Sequence, residues 1–187
     1  MICTVLPQRI DYDGSQLHHC FAYETAGKLG PTIVAFRGAA NVKDHLVDLE
    51  DVVANDFISS EDMWHFIIEI PGASITESVL WQRKFVTLIR DYLNGVQSTR
   101  TFRQEGDDIK TTHYKLSVSI ATLSQFSGLI HTGINVTVGE GCPVKAIGLD
   151  TIFSDKDDID EFGNKMCIRF RDEFVDIMTA TYKVRSV

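Results

Sequence analysis

Apolar residues recur along the chain with two periods, and the switches between them mark out the elements. Val5–Ile10 has the apolar spacing of an edge strand, and Asp11-Tyr12-Asp13-Gly14-Ser15 reads as a turn. Gln16 to Ala26 fits a short helix ended by Gly27 or Gly30. Thr32–Arg37 (TIVAFR) is apolar and β-branched and predicts a buried strand, interrupted by the small residues Gly38-Ala39-Ala40-Asn41. His45–Val53 alternates with mixed faces and reads as a further strand. Ser60 resembles an N-cap, with Glu61 and Asp62 where a helix dipole favours carboxylates. Met63, Phe66, Ile67 and Ile70 then follow at helical spacing until Pro71-Gly72.

The second half is more sharply punctuated. Ser74-Ile75-Thr76-Glu77 forms a capping box. Behind it Val79, Val86, Ile89 and Leu93 make one stripe, with Phe85, Leu88 and Tyr92 beside it and a stop at Asn94-Gly95. Thr99 to Gly106 is polar and predicts a hairpin or loop. Tyr114–Ile120 and Gly128–Val138 read as strands, and Ala146–Leu149 as a short one. From about Asp157 to Tyr182 the chain is an amphipathic helix, with Phe162, Met166, Phe170 and Phe174 spaced by four and Ile177 and Met178 continuing the face. The order lacks a regular βαβα alternation. It predicts an α+β fold with a mixed, mostly antiparallel sheet packed with helices.

Composition narrows the function classes. The chain has 187 residues, 44% of them hydrophobic, which suits a single domain over residues 1–187. No apolar run approaches the roughly 20 residues that span a bilayer, and the N-terminus lacks a basic segment followed by a long apolar one. Cys3, Cys20, Cys142 and Cys167 are widely spaced, without zinc-site spacing, as expected of reduced thiols in a cytoplasmic protein with no structural metal. A net charge of −8 argues against binding nucleic-acid backbones, while leaving room for a local basic pocket.

The residues with chemical potential concentrate between His113 and Leu149. Lys115 enters a strand of small residues, where its ammonium either sits at the sheet rim or points into a cleft to bind an anion or take part in proton transfer. His131 is either a hydrogen-bonded core residue or a catalyst, and Asn135, after Gly133-Ile134, either offers an amide to a ligand or satisfies a turn. Cys142, between Gly141 and Pro143, is a turn residue or a nucleophile, given a nearby lysine to stabilise its thiolate. Earlier in the chain, Arg37 and Gly38 end a strand with small residues, a turn that lets a ligand approach backbone N–H groups while Arg37 holds a carboxylate or phosphate. Asp48 and Glu50 share a strand face that suits Mg²⁺ near a nucleotide or, more simply, solvent.

Taken together, Tyr12–Leu17 (YDGSQL), Ile33–Gly38 (IVAFRG), Val47–Val52 (VDLEDV), the Met63–Glu69 segment and Lys115–Asn135 resemble an uncharacterised prokaryotic family, domain of unknown function 366. More distantly, Lys115 with Leu116–Ile120, followed by His131-Thr132-Gly133-Ile134-Asn135-Val136, is similar to the catalytic module of octanoyltransferases, lipoate ligases and biotin protein ligases. That resemblance implies a class II synthetase/biotin-lipoate ligase-like fold. It also implies an acyltransferase or ATP-dependent ligase-like enzyme acting on a small carboxylate or acyl ligand. Lys115 would orient the carbonyl or phosphate, and Cys142 would carry a thioester. Arg37, Gly38, His131, Gly133 and Asn135 would surround the ligand. The Gly-Arg-Gly-Arg adenylate loop of biotin ligases is absent, and that departure motivates the alternative, a non-catalytic module binding a small anion or acyl ligand. No cofactor is assigned.

Overall fold

The computed structural model describes residues 1–98 and 101–185. Thr99 and Arg100, at the start of the expected Thr99–Gly106 hairpin or loop, lie outside the described residues. Among the described residues, seven strands and four α-helices follow in the order β1 (Ile2–Val5), α1 (Phe21–Ala26), β2 (Thr32–Val42), α2 (Leu49–Ala54), β3 (Ile58–Pro71), α3 (Ile75–Val96), β4 (Arg103–Glu105), β5 (Asp108–Lys110), β6 (Ser117–Leu123), β7 (Ser127–Thr137) and α4 (Lys156–Tyr182). A 3₁₀ turn, Leu149–Thr151, precedes α4. Five strands form one sheet in the order β1-β2-β3-β7-β6, and β4 and β5 form a separate hairpin. The β1–β2 pair is parallel and the other pairs of the large sheet are antiparallel. The architecture is therefore α+β with a mixed, mostly antiparallel sheet.

Strand β3 is the centre of this sheet, hydrogen-bonded to β2 on one side and to β7 on the other. Residues Met63 to Ile70 are buried without interruption. Alternate side chains serve two different layers. Trp64, Phe66, Ile68 and Ile70 join the main core with α3 and α4, while Ile67 belongs to a smaller cluster with Leu6, Phe21, Val34 and Phe36. This corrects the helix expected over Met63–Ile70. A fully buried strand has apolar residues at every position, so it also satisfies a helical template. The correction extends to β2, which continues through Gly38-Ala39-Ala40-Asn41 to Val42, with a bulge between Gly38 and Ala40.

The first strand is Ile2–Val5 rather than Val5–Ile10. The expected strand over His45–Val53 is instead a loop leading into α2. There Asp48 caps the helix by accepting a hydrogen bond from the Glu50 N–H at 2.8 Å, and no residue of the helix is buried. Asp48 is thus spent on a helix start, which removes the face shared with Glu50.

Helix α3 begins as the sequence requires. The Ser74 hydroxyl accepts from the Glu77 N–H at 3.2 Å, and the Glu77 carboxylate accepts from the Ser74 N–H at 2.7 Å. Phe85, Val86, Ile89 and Leu93 lie on its buried face. Helix α4 buries Ile159, Phe162, Met166, Phe170 and Phe174. At Gly163 an added Cβ would lie 2.4 Å from the Trp64 ring, so the glycine lets α4 sit directly on that ring. The Trp64 indole N–H donates to the Ile159 carbonyl at 2.8 Å and fixes the helix along its axis.

Two substitutions test this packing. Ser74→Ala removes a reciprocal cap and is expected to cost about 1 kcal/mol in a urea unfolding titration, with the slope of the transition unchanged. Gly163→Val is expected to cost more than about 2 kcal/mol, because it drives a branched side chain into a buried indole. A smaller loss would show that α4 slides freely over β3.

Candidate functional site

The sheet face turned away from α3 and α4 carries a cleft of about 370 Å³. Beneath it run cross-strand rows, of which Val118, Ile120 and His131 reach the cleft itself. Phe36, His65, Gly133 and Val118 lie side by side across β2, β3, β7 and β6, and the next row is Val34, Ile67, His131 and Ile120. Its walls come from the loop after β2, with α2, and from the loop after β7 that carries Cys142 and Pro143.

Lys115 and Cys142 both line this cleft, as do His131 and Asn135. Lys115 is held by main-chain bonds from either side. Its N–H donates to the Lys145 carbonyl at 2.9 Å, and its carbonyl accepts from the Ile147 N–H at 2.9 Å. Isolated bridges pair it with Lys110 and Ala146. The ammonium is placed beside Asp108, with Nζ 2.8 Å from Oδ1. Asp108 comes from the small β4–β5 hairpin, which packs next to β6. Cys142 is partly buried and unbridged to another cysteine. Asn135 donates its side-chain N–H to the Ile147 carbonyl at 3.3 Å, so its amide holds the segment that follows the Cys142 loop, where an isolated bridge at Ala146 and a 3₁₀ turn from Leu149 replace the expected Ala146–Leu149 strand. Gly133 lies between Met63 and Val118, both of which line the cleft. A Cβ there would approach both at about 3 Å, with Met63 Cε at 2.9 Å and Val118 Cγ2 at 3.0 Å.

Arg37 and Gly38, expected at the ligand, do not join this group in the cleft lining. Arg37 points to the opposite face, in the same cross-strand row as Trp64. Its guanidinium is ion-paired with Asp62 and with Asp160 of α4, the latter at 2.5 Å, and lies 5.8 Å from the centroid of the Trp64 ring. It ties α4 to the sheet. Gly38 does permit a close approach, but by the chain itself: an added Cβ would lie 1.9 Å from the Ile10 carbonyl oxygen. The Ile10–Tyr12 segment runs alongside β2 there, with the Ile10 N–H donating to Arg37 O at 2.9 Å and the Tyr12 N–H to Ala39 O at 2.8 Å.

That close approach delivers Tyr12, a residue absent from the sequence-based set. Its ring stacks on His131 with centroids 3.9 Å apart and planes 10° from parallel, and on His65 at 5.0 Å. His65 also stacks on Phe36 at 5.1 Å. The two imidazoles meet at 3.1 Å between His65 Nδ1 and His131 Nε2, and His65 Nε2 lies 3.3 Å from the Gly38 carbonyl oxygen. Burial pushes the His65 imidazole down to about 4, against hydrogen bonds to the Gly38 and Ala39 backbone that oppose the shift. Burial, reinforced by His65, holds His131 well below the usual histidine range. Burial likewise raises the Tyr12 phenol. The pair is therefore neutral near pH 7. His65 was legible in principle, since reading Met63, His65, Ile67 and Glu69 with a period of two places it on one sheet face. Tyr12 carried no signal beyond a turn.

Among the described residues no three side chains are grouped to hold a metal ion, and no helix is long and apolar enough to cross a membrane.

With this geometry in hand, the similarities to other proteins fall into two tiers. A protein of unknown function from Pyrococcus horikoshi has a solved structure similar to this one, with a TM-score of 0.88 at 35% identity, covering 100% of this chain and 98% of the other. An uncharacterized protein of Methanocaldococcus jannaschii is 30% identical over 179 residues, 92% of this chain and 79% of its own length. At 14% identity, the biotin protein ligase of Aquifex aeolicus superimposes with a TM-score of 0.54 over 93% of this chain and 71% of its own. At 13% identity, a candidate lipoate protein ligase from T. acidophilum, solved with bound lipoic acid, gives 0.58 over 94% and 86%. The distant pair shows that the fold is that of biotin and lipoate ligases. The family described as Domain of unknown function (DUF366) matches residues 1–185, and the chain belongs to that family.

Proposed function

We propose that the cleft handles an acyl group or small carboxylate, and that the chain is a single-domain cytoplasmic enzyme of the acyltransferase or ligase type. The observation that carries this reading is the convergence of Lys115 and Cys142 on one cleft, in a fold shared with proteins solved with biotin or lipoate. His131 and Gly133 contribute the floor beneath the acyl group, and Asn135 secures the wall. Arg37 and Gly38 are left out of the ligand set because they serve packing.

In the transfer form of the reaction, the Cys142 thiolate attacks the carbonyl carbon of an acyl thioester. A new carbon–sulfur bond forms and the donor's carbon–sulfur bond breaks. The donor leaves as a thiolate and takes up a proton, while the Cys142 proton passes to solvent. The Lys115 ammonium, oriented by Asp108, donates to the carbonyl oxygen as negative charge develops on it, which is the stage at which a fixed donor is most effective. In the ligase form, Lys115 would meet a phosphate instead, a role harder to fill without the glycine-rich adenylate loop.

A second reading is favoured by the Lys115–Asp108 ion pair, in which the one lysine lining the cleft already has a partner. On that reading the cleft only binds a small acyl or anionic ligand. A ligand that raises the melting temperature without conversion would select it.

Incubation with octanoyl-CoA followed by intact-mass measurement is expected to give one octanoyl adduct on the wild type and none on Cys142→Ala. An adduct that survives Cys142→Ala removes the thioester. Lys115→Ala is expected to slow adduct formation by about 100-fold with the melting temperature little changed. If ATP is used instead, pyrophosphate release with a carboxylic acid should be lost in the same variant.

A further inference from the structure

The floor of the cleft has a fixed hydrogen-bonding polarity. A carbonyl oxygen only accepts, so His65 Nε2 must carry the proton that meets Gly38 O. His65 Nδ1 is then a bare acceptor, and its contact with His131 Nε2 requires the proton to lie on His131. A neutral His131 has no second ring proton, which leaves Nδ1 as a lone-pair acceptor. Nothing among the described residues hydrogen-bonds to that atom. The His131 side chain is nearly inaccessible, with the residue 2% exposed, yet it lines the cleft. One backbone carbonyl thus sets both tautomers and leaves His131, a residue of the cleft lining, with a ring acceptor that has no partner among the described residues.

The rim is biased the same way. Asp107 is engaged by Arg83 at 3.1 Å and by Gln82 at 3.2 Å, and Asp108 by Lys115 and Lys110. Asp48, Asp51 and Asp56 also line the cleft, and none of them has an ion-pair partner among the described residues. Burial together with the charges of Asp48 and Asp56 pushes the Asp51 carboxyl up, against a weaker opposing effect of Lys115. These carboxylates are not grouped tightly enough for a metal ion. They suit a cation whose charge is spread along a small organic molecule.

We propose that this cleft binds a short alkyl amine, protonated in solution, with an N–H donor on His131 Nδ1 and the remaining positive charge in the field of Asp48, Asp51 and Asp56. The site goes beyond the acyl reading and does not need it. If acyl transfer also occurs here, such an amine is chemically suited to accept the acyl group. A compact diamine fits the cavity volume with room for a second ligand at Lys115 and Cys142.

Isothermal titration calorimetry of the full chain tests this with 1,4-diaminobutane, butane-1,4-diol and succinate, three probes of equal chain length and different charge. The diamine is expected to bind saturably, and the diol at least about tenfold more weakly, as follows from losing a charged hydrogen bond. Succinate, whose carboxylates suit Lys115, is expected not to displace the diamine. Raising the salt concentration should weaken the diamine. Asp51→Asn, on a helix without buried residues and so safe for folding, is expected to weaken diamine binding about threefold. His131→Phe keeps the stacking and removes the acceptor, and is expected to weaken it about tenfold. Three outcomes overturn the proposal: no saturable diamine heat, displacement of the diamine by succinate, or Asp51→Asn binding unchanged. Loss of the Cys142 adduct experiment with diamine binding intact removes only the thioester; the reverse removes only the amine site.

Discussion

A strand buried on both faces and hydrogen-bonded on both edges is the constraint from which this structure follows. Strand β3 has no solvent-facing side over Met63–Ile70, so every backbone polar group must be paired by β2 and β7 and every side chain must find a layer. One set of alternate side chains recruits α3 and α4. The other set is left to face a thinner cover, made of the Ile10–Tyr12 segment, α1 and the loops around α2. A cleft survives on that face because no long helix seals it.

The polar residues of the two faces have been solved differently. On the helix side, Arg37 is paired with Asp62 and Asp160 beneath Trp64, an arrangement that brings β2, β3 and α4 to one point. On the cleft side, two imidazoles are buried without an ion-pair partner among the described residues. They are tolerated because burial keeps them neutral and because Gly38 O begins a directional chain of hydrogen bonds. Fixed charge is used for fastening and fixed polarity for the floor. The similarity to biotin and lipoate ligases concerns the scaffold beneath both.

Elements whose stability comes from local signals were legible in the sequence. The Ser74–Glu77 box and the four-residue spacing of Phe162, Met166, Phe170 and Phe174 each announce a helix, and β2 and β7 were visible as apolar, β-branched runs. Strand β3 was not, because burial on both faces erases the alternation that distinguishes a strand. Helix α2 was not, because Leu49, Val52 and Val53 are exposed and leave no stripe. Within the site, Lys115, His131 and Cys142 were picked out, and all three line the cleft. Arg37 lies outside the cleft lining, and TIVAFR, apolar from Ile33 to Phe36 without alternation, does not say which face its last residue takes. His65 was hidden by the same misreading that hid its strand, and Tyr12 depends on a chain crossing that only Gly38 makes room for.

The grip on Lys115 from Lys145 and Ile147 has one more implication. The loop bearing Cys142 returns to the residue with which it shares the cleft, through two main-chain bonds. The loop is in effect a closed handle on a rigid plate. Loop residues other than Cys142 can then change what fits above the floor without moving the points at which lysine and loop are anchored. Such a design separates the part of the cleft that can diversify from the part that cannot.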